Sequence, residues 1–377
     1  MQSGDGNRGA RSAQTVDIAA EDPLPIARVR DACSGHISSL DGLRAISAFF
    51  VVAYHFGFEY VPAGFGVLVF FVISGFVITT LLLREQDRNG TISLRRFYAR
   101  RTLRILPAFY VYWVLVTVLW WPNGRLPWAQ ALSALLFASN YYQGLHGYPE
   151  GVYSHLWSVA VEAQFYLLWP ALFLLFGGTR KRLFVSAVAA IAAIWICRVA
   201  LHAAAVPAAY IYTALETRMD HPLVGCALAI AVHEKYFGRF WTSVTHPGRY
   251  VVTLLLLSAS VVVGNYQGVG YRNLVGFALD PLLIAILIVQ LIARQTIVTA
   301  VLNSKPMVFL GTISYSTYLY QQVVLFPTRE ALQSMGAPLA IAFTGSVTAV
   351  LAVASLSYLF VEAPLLSMRR GFSAGAR

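Results

Sequence analysis

The chain has 377 residues, of which 58% are hydrophobic, 14% aromatic and only 12% charged. That leaves too little polar surface to cover a soluble globule of this length, so the chain reads as an integral membrane protein. The formal charge of +11 does not point to nucleic acid, because the basic residues fall in short loops between apolar runs, where they set membrane orientation.

Residues 1–36 are polar and lack the apolar core of a signal peptide, which predicts a disordered cytoplasmic tail. Apolar runs follow at about 40–58, 63–83, 105–121, 128–142, 155–176, 183–201, 218–233, 250–264, 273–293, 307–326 and 337–361. The loop 84–104 holds seven arginines against two acids, which assigns it, and the amino terminus with it, to the cytoplasm. If 128–142 also spanned, the Arg180-Lys181-Arg182 loop and most later basic loops would face outward, against the positive-inside bias. Treating WAQALSALLFASNYY as re-entrant or interfacial removes that conflict and leaves only Arg125, Arg272 and Arg329 outside. The predicted architecture is therefore an all-α bundle of about ten transmembrane helices with both termini cytoplasmic. Arginine outnumbers lysine by 25 to 3, a bias of GC-rich bacterial genomes, so the expected location is a bacterial cytoplasmic (inner) membrane.

Three cysteines, Cys33, Cys197 and Cys226, are odd in number and form no CxxC pair, so neither a disulfide framework nor a metal site is predicted. The informative residues are ionisable groups inside the apolar runs, which are costly there and seldom kept without a use. Arg44 and His55, eleven residues apart, return to within about 20° of one helix face and sit roughly 16 Å apart along it. His155 and Glu162 share a face of the 155–176 run, and a depth count puts Glu162 level with His55, as a general base and its orienting partner would be. Arg101 and Arg104, one turn apart on the cytoplasmic side, form a fork suited to phosphate. Tyr315, Tyr318 and Gln322 recur at helical spacing, more readily explained by bundle contacts than by a site. Arg218 and Asp220 read as helix-orienting charges. Tyr141, Tyr142, Tyr148, Tyr153 and Trp157 suit either sugar stacking or an interfacial belt.

Together the stretches LDGLRAISAFFVVAYH, FFVISGFVIT, FYARRTLRILP, HLWSVAVEAQFYLLWP, TRMDHPLVGCALA, GTISYSTYLY and FVEAPLL resemble the acyltransferase-3 family of integral membrane O-acyltransferases, over about residues 38–366. The resemblance implies transfer of an acyl group, usually acetyl from acetyl-CoA, to a hydroxyl of a carbohydrate such as a cell-surface polysaccharide or glycolipid, with no permanently bound cofactor. It assigns the catalytic roles to His55, Glu162 and Arg44. The acyl-CoA donor falls to Arg101, Arg104 and Arg44, and His155, Tyr315 and Tyr318 become acceptor-side candidates. The expected domains are a 37–368 membrane domain and a short basic tail, 369–377, in a stand-alone transferase without an appended hydrolase-like domain. Three positions depart from the family pattern: Leu68 replaces an acidic residue, Gln321 stands where His is common, and Ala363 where Arg is common. An acylated secreted small molecule, such as a macrolide, is a second acceptor class. A proton-coupled transporter or flippase built on Arg44, His55 and Glu162 is the rival from another class, weakened by the lack of a visible repeat between the two halves.

Overall fold

The computed structural model describes residues 25–121 and 127–367, and among them there are eighteen α-helices and no strand. The first, α1 (Pro25–Ala32), corrects the expected tail: Ile26 and Val29, both fully buried, dock a short amphipathic helix that opens on proline. Residues 1–24, Arg125 and the expected tail 369–377 lie outside the described residues.

Next come α2 (Ser38–Phe56) and α3 (Ala63–Asn89), which stops at Gly90 in the left-handed region, φ 74°. Ser93 then caps α4 (Leu94–Trp120) by accepting from the Arg96 backbone amide. Two short helices follow, α5 (Trp128–Leu135) and α6 (Ser139–Leu145), separated by Phe137 at φ 52°. At 1.5 Å per residue neither crosses a bilayer, in keeping with the non-spanning reading of 128–142. A single 3-10 turn, Ser154–Leu156, leads into α7 (Trp157–Phe176), followed by α8 (Arg180–Ala203), α9 (Ala208–Thr213), α10 (Leu215–Arg218), α11 (Asp220–His233) and α12 (Gly238–Val244).

The stretch from α13 (Arg249–Tyr271) through a π-helical turn, Arg272–Gly276, to α14 (Phe277–Ala293) is 45 residues of unbroken helical assignment. A straight helix of that length would reach about 68 Å, twice a hydrocarbon core. Instead, Gly268 takes φ 66° and ψ −147°, and the Ser260 and Tyr271 hydroxyls, eleven residues apart, meet at 3.0 Å. The chain therefore turns back on itself there. The remaining helices are α15 (Ile297–Leu302), α16 (Lys305–Thr312), α17 (Ser314–Ser334) and α18 (Leu339–Ser357), with a second π-helical turn at Tyr358–Glu362.

Among the described residues six helical stretches are long and apolar enough to cross a membrane: Ala63–Asn89, Leu94–Trp120, Ser154–Phe176, Arg180–Ala203, Arg249–Ala293 and Leu339–Ser367. The chain is a multi-pass membrane protein. Helices α2 and α17 fall outside that set because they carry the polar residues described below.

Two constraints hold the centre of the bundle. Helices α3 and α11 cross backbone to backbone: a Cβ on Gly75 would stand 1.8 Å from the Pro222 carbonyl oxygen, and one on Gly225 2.0 Å from that of Val72. Only hydrogen in place of a side chain allows that approach. Arg198 of α8 pairs with Asp220 of α11 at 2.8 Å, the two side chains 0% and 3% exposed.

Candidate active site

Three cavities lie in series through the bundle, joined by shared wall residues. The innermost, about 60 Å³, is lined by Arg101, Arg104, Arg44, Glu162, Tyr166 and Tyr315. The middle one, about 40 Å³, shares Arg44, Glu162 and Tyr315 and adds Tyr318 and Ser158. Tyr318 and Val67 continue into the largest, about 590 Å³, which holds His55 and His155 and opens between the α2–α3 connection and the Gly268 bend, at the end of the bundle away from Arg101 and Arg104.

Arg101 and Arg104 enter the innermost cavity from one face of α4, as their three-residue spacing predicts. Arg101 lies over the Tyr166 ring, 5.3 Å from its centroid. Arg100, the neighbouring residue, pairs with Glu85 at 2.9 Å and does not line the cavity. Tyr315 donates to the Ile105 carbonyl at 3.1 Å, tying α17 to α4 and closing the wall between the inner two cavities.

Arg44 faces both inner cavities from α2, lies 5.8 Å from the Phe70 ring centroid, and has a buried Nε without a hydrogen-bond partner. Glu162 accepts from Ser74 Oγ of α3 at 2.5 Å and from the Tyr166 hydroxyl. Those donors hold the carboxylate beside Arg44 and away from the His55 cavity. The predicted pairing of Glu162 with His55 is thereby corrected. His55 is in the last turn of α2, whereas Glu162 lies a turn and a half inside α7, so the two occupy different depths. Ser74 and Tyr166 were not anticipated. Tyr166 was within reach of the sequence, four residues from Glu162 on the same helix face, whereas Ser74 comes from another helix.

His55 keeps one ring nitrogen busy: Nδ1–H donates to the Val51 carbonyl at 2.8 Å. That bond puts the proton of the neutral ring on Nδ1 and makes Nε2 the basic position. The fully buried Gln321 carboxamide lies beside the ring. Glu362, turned inward by the π-helical turn, accepts from Ser316 Oγ at 2.5 Å within electrostatic reach of Arg104 and Arg44.

His155 lines the large cavity, but both its nitrogens are committed, Nε2–H donating to the Leu319 carbonyl and Nδ1 facing the Gln322 carboxamide, each at 3.1 Å. Tyr318 donates to the His155 carbonyl at 2.9 Å and meets Ser158 Oγ at 2.5 Å. The pair clamps α7 to α17 at the junction of the cavities. Of the aromatic candidates, Tyr148 and Trp157 line the large cavity, Tyr153 meets Thr117 in the interior, Tyr141 donates to Glu216 and Tyr142 stacks on His146.

Arg218 ends α10 and Asp220 opens α11, the helix ends that favour their charges, and each has further contacts in the interior. Asp220 holds Arg198, while Arg218, fully buried, lies 4.0, 5.0 and 5.4 Å from the ring centroids of Phe277, Tyr212 and Trp157. Among the described residues no cluster of His, Cys, Asp and Glu could hold a metal ion.

A family described as an acyltransferase domain matches residues 37–360. The peptidoglycan O-acetyltransferase OatA of Listeria monocytogenes is 30% identical over 358 residues, covering 88% of this chain and 56% of that protein. The putative peptidoglycan O-acetyltransferase YrhL of Bacillus subtilis is 29% identical over 365 residues, or 91% and 56%. The O-acetyltransferase OatA of Staphylococcus aureus is 28% identical over 364 residues, or 90% and 58%. The chain thus spans a little over half the length of these relatives. No solved structure matches it.

Proposed function

Since the chain belongs to the acyltransferase domain family, we propose that it is a membrane O-acetyltransferase that takes an acetyl group from acetyl-CoA and delivers it to a hydroxyl of a cell-wall or cell-surface glycan. The observation that carries this reading is the series of three cavities joining a pair of phosphate-suited arginines to a histidine whose Nδ1–H is held by a backbone carbonyl. Its setting is a bacterial cytoplasmic membrane, with about ten spans, both termini inside, and the arginine-rich 84–104 segment facing the cytoplasm.

Arg101 and Arg104 hold the CoA phosphates, where a guanidinium fork matches phosphate geometry. Arg44 guides the pantetheine arm and offers positive charge to the thioester oxygen as it becomes an oxyanion, and Glu162 keeps Arg44 in place. The acceptor occupies the 590 Å³ cavity, within the volume range of small-ligand sites. His55 Nε2 takes the proton of the acceptor hydroxyl as its oxygen attacks the acetyl carbon. The C–S bond breaks, the ester C–O bond forms, and the proton passes from Nε2 to the departing CoA sulfur. A two-step version, in which Nε2 first carries the acetyl group, uses the same atoms. The transport alternative gains nothing from the relatives, whose names are those of O-acetyltransferases.

The test is mass spectrometry of surface glycans, lipids and secreted small molecules from cells lacking the gene, complemented with wild type or His55→Ala. The expected result is an acetylated species, 42 Da heavier (about one acetyl for one hydrogen), present only with wild type, while the variant still binds acetyl-CoA. An active His55→Ala enzyme refutes the assignment of His55. No acetyl difference, with an intact compound changing compartment instead, refutes the transferase.

A further inference from the structure

One wall of the large cavity gathers positive charge and unpartnered donors. Arg198, Arg218 and Arg272 gather around Phe277, 5.6, 4.0 and 5.9 Å from its ring centroid. Two carboxylates stand near them: Asp220, taken up by Arg198, and Asp280, which lines the cavity beside Ser260. Around Phe277 three guanidiniums face these two carboxylates, and Glu59, on the α2–α3 connection, is a third carboxylate on the cavity. Arg272 lines the cavity and stacks over Tyr212, 5.0 Å from its centroid, with no hydrogen bond or ion pair among the described residues. Behind it, Arg218 has all three nitrogens buried and unpartnered, against the inner faces of rings that line the same cavity.

Unsatisfied polar atoms concentrate here. Asn273 has both amide atoms unpaired at 0% exposure, and Asp280 Oδ1 and His221 Nδ1 are also unpaired. Buried guanidiniums without partners are costly, and such groups gather where a ligand completes the bonding. The rings offer the cations only their faces, and all three nitrogens of Arg218 and the Nε of Arg272 stay without a hydrogen-bond partner.

We infer that the outer cavity takes an acceptor bearing an oxyanion, a carboxylate or a phosphate, bound by Arg272 with Arg218 adding its field from behind, while His55 acts on the hydroxyl. The inference rests on the acetyltransferase reading for the role of the bound molecule, though not for the binding itself. An oxyanion supplies the acceptors that the unpartnered nitrogens of Arg218 and Arg272 lack. A cavity of 590 Å³ is about 10 Å across if roughly spherical. The charged group and the acetylated hydroxyl therefore lie on the same sugar ring or on neighbouring rings. Asp280 and the exposed Glu59 on the same cavity repel a second negative charge, so a single charge is favoured over a polyanionic strand.

The test is equilibrium binding of three fluorescently labelled disaccharides to the full chain in nanodiscs. The probes are a neutral N-acetylglucosamine disaccharide, the same disaccharide with a lactyl carboxylate ether, and the same carrying a 1-phosphate. The wild type is expected to bind one of the charged probes at least about tenfold more tightly than the neutral one, and whichever is preferred names the source of the oxyanion. Arg272→Gln is expected to bring the charged probes to within about twofold of the neutral one, and Arg272→Lys to keep part of the preference. Equal binding of charged and neutral probes by the wild type overturns the inference, as does absence of binding by any charged probe. A preference that survives in a folded Arg272→Gln variant also overturns it. Acetyl transfer from acetyl-CoA is scored separately, so failure of the transferase reading leaves the binding result intact.

Discussion

Replacing Gly75 by alanine adds one methyl group at the point where α3 and α11 touch. The new Cβ would stand 1.8 Å from the Pro222 oxygen, 2.7 Å from its carbonyl carbon and 3.0 Å from its Cα. All three are backbone atoms, so no rotamer change relieves the overlap. Ordinary contact begins at 3.4 Å, which leaves the helices 1.6 Å too close. A retreat of that size strips much of the dispersion contact from the buried seam formed by Val72, Phe76, Leu223 and Val224. Overpacking at a site that can relax costs about 1–3 kcal/mol, and this rigid one is expected at or above about 3 kcal/mol. Gly225→Ala meets Val72 O at 2.0 Å across the same crossing, a shortfall of 1.4 Å. Once Gly75→Ala has forced the helices apart, the second methyl finds most of its space already made. The double variant should therefore lose far less than the sum of the singles. The assay is unfolding of the purified protein in mild detergent by stepwise addition of SDS, with Gly178→Ala as control because no atom lies within 4 Å of its Cβ position. Unfolding of Gly75→Ala indistinguishable from the control, or strict additivity of the two alanines, would refute the close-crossing argument.

Tyr166→Phe removes one of the two hydroxyl donors to Glu162; acetyl transfer should fall about tenfold, matching the loss of one hydrogen bond to a charged group, in kcat with little change in KM for acetyl-CoA. Arg101→Gln should raise that KM at least about tenfold, whereas Arg100→Gln, which breaks the half-buried pair with Glu85 outside the cavity, should leave it within about twofold; equal effects in steady-state assays would count against the assignment of Arg101. Asp220→Asn strands Arg198 without its counter-ion in the interior and should destabilise the bundle by about 3–5 kcal/mol, whereas a joint Arg198→Met and Asp220→Leu replacement should recover most of that in the same SDS titration.

Much of the architecture was readable because apolar runs and helix punctuation are local properties. The non-spanning character of 128–142 followed from charge bias alone and agrees with two helices too short to cross. Arg101, Arg104 and Arg44 line one cavity, as a shared side of the membrane and a shared helix face suggested. What failed was depth. Counting residues from the loops put Glu162 level with His55, but depth depends on where each helix starts and how it tilts, and those are fixed by contacts between distant segments. Ser74, 88 residues from Glu162, supplies the bond that decides where the carboxylate points, and no local pattern marks it. Two misses were legible after all. Gly75 and Gly225 interrupt apolar runs without a turn to justify them, which signals close helix approach. Pro25 followed by Ile26 and Val29 carries a helix start and an apolar face inside a segment otherwise polar enough to read as a disordered tail.

The narrowness of the two inner cavities bears on the energy supply of the cell. A protein that offers both faces of a membrane access to one line of cavities risks short-circuiting the proton gradient that such a membrane maintains. At about 60 and 40 Å³, the inner cavities hold a handful of water molecules and not a continuous column. Arg44, a fixed cation in the wall of both, raises the energy of a hydronium ion at the point where a column would be thinnest. Under the proposed function, the residue that favours an anionic thioester transition state is also an electrostatic plug against protons. Under the proposed function, an enzyme arranged in this way moves acetyl groups without leaking charge.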